Sequence, residues 1–181
     1  MPSISAHMSV AQVLSNKLNI NDSNFIIGNL LPDLEKDKTK SHYKIQGKLY
    51  LVPNIPYVEK TLDLKDKTNL GIFTHLLLDS YYLDYLTEKY PNIDVFEGDT
   101  LYKDYDYLNE DIINYFELDV DNIINILNTI KEEKYLEKRD KNINSLKGKE
   151  KGLLQILDKN DFIKFLKDTI PKIEEDIKFY I

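Results

Sequence analysis

The chain of 181 residues contains no cysteine. This absence excludes disulfide bonds, thiolate metal ligands and cysteine nucleophiles. No apolar run approaches the roughly 18–20 residues that a membrane-spanning helix needs, so we expect no membrane span. The N-terminal sequence has neither the basic segment nor the apolar core of a signal peptide, and we therefore expect a cytoplasmic protein.

Positive charge is also in deficit, because the formal net charge is -7 and the sequence contains no basic block. An acidic balance of this kind does not favour binding to long nucleic acids or to anionic membranes. The hydrophobic content of 42% and the charged content of 30% are ordinary for a globular protein. A length of 181 residues suits one domain, so we expect residues 1–181 to form a single unit.

Histidine is scarce, and its distribution is informative. The chain has three histidines, which are His7, His42 and His75. All three lie in the first half, so no residue after position 75 can supply an imidazole ligand or an imidazole base.

Helical periodicity dominates the N-terminal half. A helix is predicted from Ser3 or Ser5 to Leu18, with an apolar stripe at helical spacing that includes His7. A short buried helix is predicted over 24–31 and should stop at Pro32, because a residue before proline is pushed out of the helical region. A long helix is predicted over 68–90, preceded by a brief extended piece within 47–56 and one or two helical turns near 57–62.

The C-terminal half continues the helical pattern. Helices are predicted over 102–116, from Asp119 or Asp121, and from about Asn160, with Pro171 kinking the last one or starting a new segment. Residues 134–150 are dominated by charge and are predicted to be a mobile loop or a frayed helix end. The predicted fold is all-α, a single-domain bundle of about six or seven helices.

His75 and Asp79 lie four residues apart in the long apolar helix, so they share one face. Burial of a polar group without a partner costs about 2–7 kcal/mol. The two side chains must therefore either satisfy each other and their neighbours or hold a metal ion.

Three other residues extend this pair to a candidate metal site: His7 on the first helix, Asp33 after Pro32, and His42 in a predicted loop. Imidazole nitrogens and carboxylate oxygens in this ratio suit zinc or another divalent transition metal. Each residue also has a purely structural interpretation. His7 could be a hydrogen-bonded core residue, Asp33 a turn residue and His42 a solvated side chain, and spacing alone leaves both interpretations open.

Three segments, following a histidine near the N-terminus, resemble the zinc-dependent phospholipase C family. They are Gly28-Asn-Leu-Leu-Pro-Asp33, Lys40-Ser-His-Tyr43 and Leu70-Gly-Ile-Phe-Thr-His-Leu-Leu-Leu-Asp79. The resemblance covers about residues 4–86, and a weaker likeness to small bacterial members extends to 102–109. It implies an all-helical fold related to that of the zinc nucleases, with phosphoester hydrolysis at a zinc cluster. The ligands that it implies are His7, Asp33, His42, His75 and Asp79, with Asp79 able to bridge two ions.

The sequence also departs from that family. Its secreted members use a processed N-terminal residue as a ligand, and this chain shows no signal for such processing. They hold a further zinc with a His, His and Glu set after the His-x-x-x-Asp motif, whereas no histidine follows residue 75 here. We therefore expect one zinc ion, or two with Asp79 shared. Asp37, Asp84 and Asp104 are candidates for an additional carboxylate.

The expected function is that of a metal-dependent phosphoester hydrolase that uses metal-activated water. Asp33 and Asp79 are the candidate catalytic residues, which would orient or deprotonate the water. The expected substrate is a small-molecule or lipid head-group phosphoester. One alternative is a nuclease-like or nucleotidase-like phosphodiesterase. Another is a non-catalytic helical domain with a structural metal or a binding role. Four tyrosines are candidates to line the pocket: Tyr43, Tyr81, Tyr82 and Tyr102. For most of them, simple packing is the alternative interpretation.

Overall fold

The computed structural model of the protein describes residues 2–148 and 151–181. This part of the chain is mostly helical, which confirms the all-α class, but it holds nine α-helices where six or seven were expected. None of these helices is long and apolar enough to cross a membrane. The helices are α1 (Ile4–Leu18), α2 (Ser23–Leu34), α3 (Lys38–Ser41), α4 (Ile55–Thr61), α5 (Lys67–Lys89), α6 (Thr100–Tyr115), α7 (Val120–Leu127), α8 (Glu133–Lys147) and α9 (Lys159–Ile177).

A small antiparallel hairpin interrupts the helices between α3 and α4. Strand β1 (Lys44–Gln46) pairs with β2 (Leu51–Pro53), and Ile45 lies opposite Val52. The brief extended piece expected in this region is therefore present. A 3-10 turn over Lys178–Tyr180 follows α9 near the C-terminus.

Helix α5 is the central element of the fold. It begins where the Asp66 side chain accepts a hydrogen bond from the Asn69 backbone N–H, and it ends before Pro91. Its buried residues cover most of its length, from Leu70 to Leu86, and it packs against α1, α2, α4, α9 and β2. Residues 73–79 of this helix are buried without interruption, so His75 and Asp79 lie inside the core.

Two glycines allow α2 and α5 to approach closely. A Cβ atom added to Gly28 would lie 2.1 Å from the Thr68 carbonyl oxygen, and one added to Gly71 would lie 2.2 Å from the Phe25 carbonyl oxygen. Neither position can carry a side chain without separating the backbones, because both obstructing atoms belong to the main chain. The glycine pair therefore fixes the distance between the two helices that carry Asp33, His75 and Asp79.

Two prolines were expected to end or kink helices, and the structure shows that Pro32 does not end α2. Proline removes one backbone hydrogen bond and clashes with the preceding turn. Burial of Leu34 nevertheless holds the last turn of α2 together, so that helix continues to residue 34. Helix α9 likewise continues through Pro171, with Ile173 and Ile177 fully buried beyond it.

The prediction for residues 134–150 was wrong over its described part, because α8 occupies residues 133–147. Charge alone suggested a loop, but Ile143 and Leu146 face the core and are buried. The Tyr135 hydroxyl also donates to the Glu35 carboxylate, and Lys138 Nζ donates to the Glu35 carbonyl, so tertiary contacts hold the helix against the end of α2. Lys149 and Glu150 lie outside the described residues.

We expect Gly71→Ala to destabilise the protein although alanine is the better helix former by about 1 kcal/mol. Overpacking a close helix contact costs about 1–3 kcal/mol, and here the obstructing atom is backbone. Urea unfolding should show a net loss of about 1–2 kcal/mol in the free energy of unfolding. The exposed control on the same helix, Glu88→Ala, should change it by less than about 0.5 kcal/mol. A Gly71→Ala protein as stable as the parent would contradict the close-contact account.

Candidate metal centre

The structure brings together all five residues singled out in the sequence. Helix α1 supplies His7, the last turn of α2 supplies Asp33, His42 follows α3, and α5 supplies His75 and Asp79. Four of these side chains are 0–1% exposed, while Asp33 is 22% exposed. His42 was considered as a solvated loop residue, and its complete burial excludes that interpretation.

The donor atoms of four of these residues surround a common point. The His75 Nε2 atom lies 3.3 Å from Asp79 Oδ2 and 3.4 Å from His42 Nε2. The His42 Nε2 atom lies 3.6 Å from Asp79 Oδ2 and 3.7 Å from Asp33 Oδ1. Tetrahedral zinc with bonds of about 2.0–2.2 Å separates its ligand atoms by about 3.3–3.6 Å. The three separations among His42, His75 and Asp79 therefore match three edges of a tetrahedral site, and Asp33 lies beside His42.

Hydrogen bonds outside the cluster fix the tautomers of two histidines. His75 Nδ1 lies 2.7 Å from the Asn29 carbonyl oxygen, which can only accept, so this nitrogen carries the proton. The Ser41 hydroxyl donates to the Pro32 carbonyl at 3.0 Å and lies 2.8 Å from His42 Nδ1, so His42 Nδ1–H must be the donor in that pair. When both rings are neutral, their Nε2 atoms consequently present a lone pair to the common point, as in metal-binding histidines.

Several buried polar atoms of the cluster have no hydrogen-bond partner within the described residues. Both oxygens of Asp79 and both ring nitrogens of His7 are buried, and within the described residues they have no hydrogen-bond partner. Buried polar atoms in native proteins are nearly always paired, and unpaired ones cost free energy. A divalent cation satisfies converging nitrogen and oxygen lone pairs, so the donor set fits a metal such as zinc.

The electrostatics of the cluster follow from burial and mutual proximity. Burial opposes ionisation of Asp79, but the neighbouring His75 and His7 outweigh burial and hold the Asp79 pKa below its ordinary range. Burial also opposes charge on His75, yet the Asp79 carboxylate raises the His75 pKa. Burial, and after it the neighbouring His75, lowers the pKa of His42 to about 3. His42 is therefore a neutral imidazole at pH 7, which is the form that binds metal.

His7 belongs to a second, overlapping group. Its Nε2 atom lies 3.4 Å from Asp79 Oδ1, whereas Oδ2 of the same carboxylate faces His42 and His75. The His7 and His75 rings are stacked with centroids 3.8 Å apart. An imidazole Nε2 atom has one lone pair and binds one metal, but a carboxylate can bind two. The two oxygens of Asp79 therefore face two neighbouring positions.

The cluster opens to solvent on the side of Asp33. A cleft of about 390 Å³ begins there, with Ser3 and Ile4 of the N-terminal segment on one side. Tyr102, which is 51% exposed, and Tyr105 on α6 line the same cleft. The other four cluster residues are buried, so Asp33 is the member of the cluster that lines this cleft.

Several residues considered from the sequence lie away from the cluster. None of the three additional carboxylate candidates, Asp37, Asp84 and Asp104, belongs to a metal-compatible group within the described residues. Asp37 accepts a hydrogen bond from the Lys40 backbone N–H and caps α3. The Asp104 carboxylate accepts hydrogen bonds from the backbone N–H groups of residues 155–157.

The four tyrosines considered from the sequence also differ in whether they line the cleft. Tyr43 packs against Tyr57, the Tyr81 hydroxyl donates to Asp176, and the buried Tyr82 accepts a hydrogen bond from Tyr105. Of the four tyrosines suggested by the sequence, Tyr102 lines the cleft.

Sequence reasoning missed the residues that orient the cluster. Ser41 stands within a quoted motif, but its role depends on the Pro32 carbonyl, nine residues away. Asn29 acts through its main-chain carbonyl, which no side-chain pattern reveals. Lys38 Nζ donates to Asp33 Oδ1 at 2.9 Å and to the Asp33 carbonyl at 2.7 Å, and its position in a charged segment gave no sign of this contact.

Comparisons with protein-family models, with curated proteins and with solved structures find no match to this chain. The interpretation of the cluster therefore depends on its geometry and on the sequence motifs.

We expect Ser41→Ala to weaken zinc binding by about 10–100-fold, because loss of a group that orients a ligand histidine typically has an effect of this size. The change removes the acceptor of His42 Nδ1–H and releases the tautomer. Competition titration against a fluorescent zinc chelator measures the affinity. Ser9→Ala is the control, because Ser9 is buried but its hydroxyl makes no hydrogen bond within the described chain. Equal zinc affinities in the two variants would contradict this role for Ser41.

We expect Asp104→Asn to lower stability without affecting metal binding. Hydrogen bonds to a charged group contribute about 1.5–3 kcal/mol, and the amide would turn a donor toward the N–H groups that the carboxylate now accepts. Thermal or urea unfolding should detect the loss, while the zinc content measured by elemental analysis should equal that of the parent. Loss of zinc from this variant would return Asp104 to the list of candidate ligands.

Proposed function

We propose that the protein is a metal-dependent phosphoester hydrolase with a fold and site resembling those of the zinc-dependent phospholipase C family. The observation that carries the proposal is the cluster of buried acceptor atoms at tetrahedral spacing, which opens through Asp33 into a cleft. A catalytic metal site must be accessible to substrate, and here Asp33, which is 22% exposed, lies on the side of the cleft. The motif resemblance over about residues 4–86 supports the same reaction class.

Asp33, His42, His75 and the Oδ2 atom of Asp79 would hold one ion, and His7 with Asp79 Oδ1 would contribute to a second. Zinc at these positions would supply a Lewis acid that activates water and offsets phosphoryl charge. The tautomers imposed by Asn29 and Ser41 keep the imidazole lone pairs in place, so that the site is organised before a ligand arrives.

Asp33 and Asp79 differ in the roles open to them. Burial opposes ionisation of Asp33, but His75, His7 and Lys38 lower its pKa to about 2. A carboxylate with so low a pKa is a weak proton acceptor at pH 7, so Asp33 would orient water or substrate at the cleft rather than deprotonate it. Asp79 is completely buried, and its role would be to hold the cations.

The rival function is a helical domain that keeps a metal as a structural staple. Two measurements distinguish the hydrolase from the structural metal site. Equilibrium dialysis against zinc followed by elemental analysis gives the metal content, and assays with bis(p-nitrophenyl) phosphate and p-nitrophenyl phosphate give the turnover. We expect one or two zinc ions per chain and turnover that a chelator abolishes and added zinc restores. Asp79→Asn should lose both the metal and at least about 100-fold in turnover.

The control is Asp84→Asn, the same substitution at an exposed position of the same helix, which should retain metal and turnover. Tightly bound metal without turnover of either ester would favour the structural staple. Metal binding that survives both Asp79→Asn and His75→Ala would contradict the assignment of the cluster itself.

A further inference from the structure

Three lysines from two separate segments line the cleft next to Asp33. Lys38 belongs to α3, while Lys138 and Lys141 are three residues apart on α8 and so share one face of that helix. Their convergence is unexpected in a chain whose formal net charge is -7. The cleft is thus a locally basic region of an acidic protein.

Two of these ammonium groups are fixed mainly by main-chain oxygens. Lys38 Nζ donates to the carbonyls of Pro32 and Asp33 at 3.2 Å and 2.7 Å, as well as to Asp33 Oδ1. Lys138 Nζ donates to the Glu35 carbonyl at 2.6 Å. These carbonyls form the C-terminal end of α2, where the helix dipole favours cations. Main-chain oxygens therefore position both ammonium groups, and Lys38 is also paired with the Asp33 carboxylate.

The acidic groups nearby do not cancel this charge. The Glu35 carboxylate interacts with Lys134 and Tyr135, and Asp106 is the acidic residue that lines the cleft besides Asp33. Asp33 and Asp79 together balance one divalent cation. Among the residues that line the cleft, the three lysines less Asp106 then leave two positive charges, while Glu137 and Asp140 lie beside Lys141 in a neighbouring depression. Burial, and after it repulsion from Lys38, lowers the pKa of Lys138.

We propose that Lys38, Lys138 and Lys141 form an anion-binding subsite that makes this cleft select phosphomonoester dianions over phosphoesters with a cationic head group. The inference rests on the proposed function, because it names the substrate class of the same site. A dianion gains attraction from both the metal cluster and the lysines, whereas a quaternary ammonium group would enter a cleft that already carries excess positive charge. A cleft of about 390 Å³ suits a small ligand.

Calorimetric binding of inorganic phosphate and of phosphocholine to the zinc-loaded protein tests this directly. Phosphocholine is a phosphate monoester that differs from inorganic phosphate by its choline group, which adds one positive charge. We expect phosphate to bind at least about tenfold more tightly, and Lys138→Gln and Lys141→Gln each to weaken phosphate binding by about tenfold while leaving phosphocholine binding nearly unchanged. Lys147→Gln, on the same helix but outside the cleft, is the matched control and should behave as the parent.

Equal affinity for the two probes in the parent, or equal losses for both probes in the variants, would overturn the proposal. Lys141 is exposed, so Lys141→Gln keeps the test valid even where Lys138→Gln impairs folding. The kinetic counterpart is the ratio of kcat/KM for p-nitrophenyl phosphate to that for p-nitrophenylphosphorylcholine, which should fall in the lysine variants. Selective phosphate binding without turnover of any ester would refute the hydrolase and leave the subsite standing. Turnover that is unchanged in the lysine variants would refute the anion-binding subsite and leave the hydrolase proposal intact.

Discussion

Helices α2 and α5 touch through Gly28 and Gly71, where any side chain would collide with backbone of the opposite helix. This contact sets the geometry of the whole cluster. It places the Asn29 carbonyl 2.7 Å from His75 Nδ1, one turn beyond Gly71. The same segment of α2 then presents the Pro32 carbonyl to Ser41, which orients His42, and brings Asp33 to the open side. A small change in the helix separation would therefore move several ligands at once.

The buried lone pairs of the cluster lower the stability of the folded chain. Four buried nitrogen and oxygen atoms of His7 and Asp79 have no hydrogen-bond partner in the described chain, and unpaired buried polar atoms are destabilising. A cation that binds the folded chain alone reverses that effect, so metal binding and folding are thermodynamically linked. The apolar packing of α5 along its length supplies the rigid support that such a site needs.

Much of the site was predictable because its central pair is local. Residues four apart on a helix must share a face, so His75 and Asp79 identified the site once α5 was recognised as apolar. The continuation of α2 through Pro32 and the formation of α8 were not predictable, since both depend on tertiary contacts such as buried Leu34 and the Glu35 partners. The lysine cleft was hidden for the same reason. Lys38 and Lys138 are a hundred positions apart, and the overall charge of the chain has the opposite sign.

The central claim is that Asp33, His42, His75 and Asp79 bind one metal ion. Crystals of the protein grown with zinc, with diffraction recorded above and below the zinc absorption edge, test it most directly. The account predicts an anomalous peak within about 2.0–2.2 Å of His42 Nε2, His75 Nε2 and a carboxylate oxygen of Asp79. A zinc-saturated crystal in which these atoms surround no anomalous peak would contradict it.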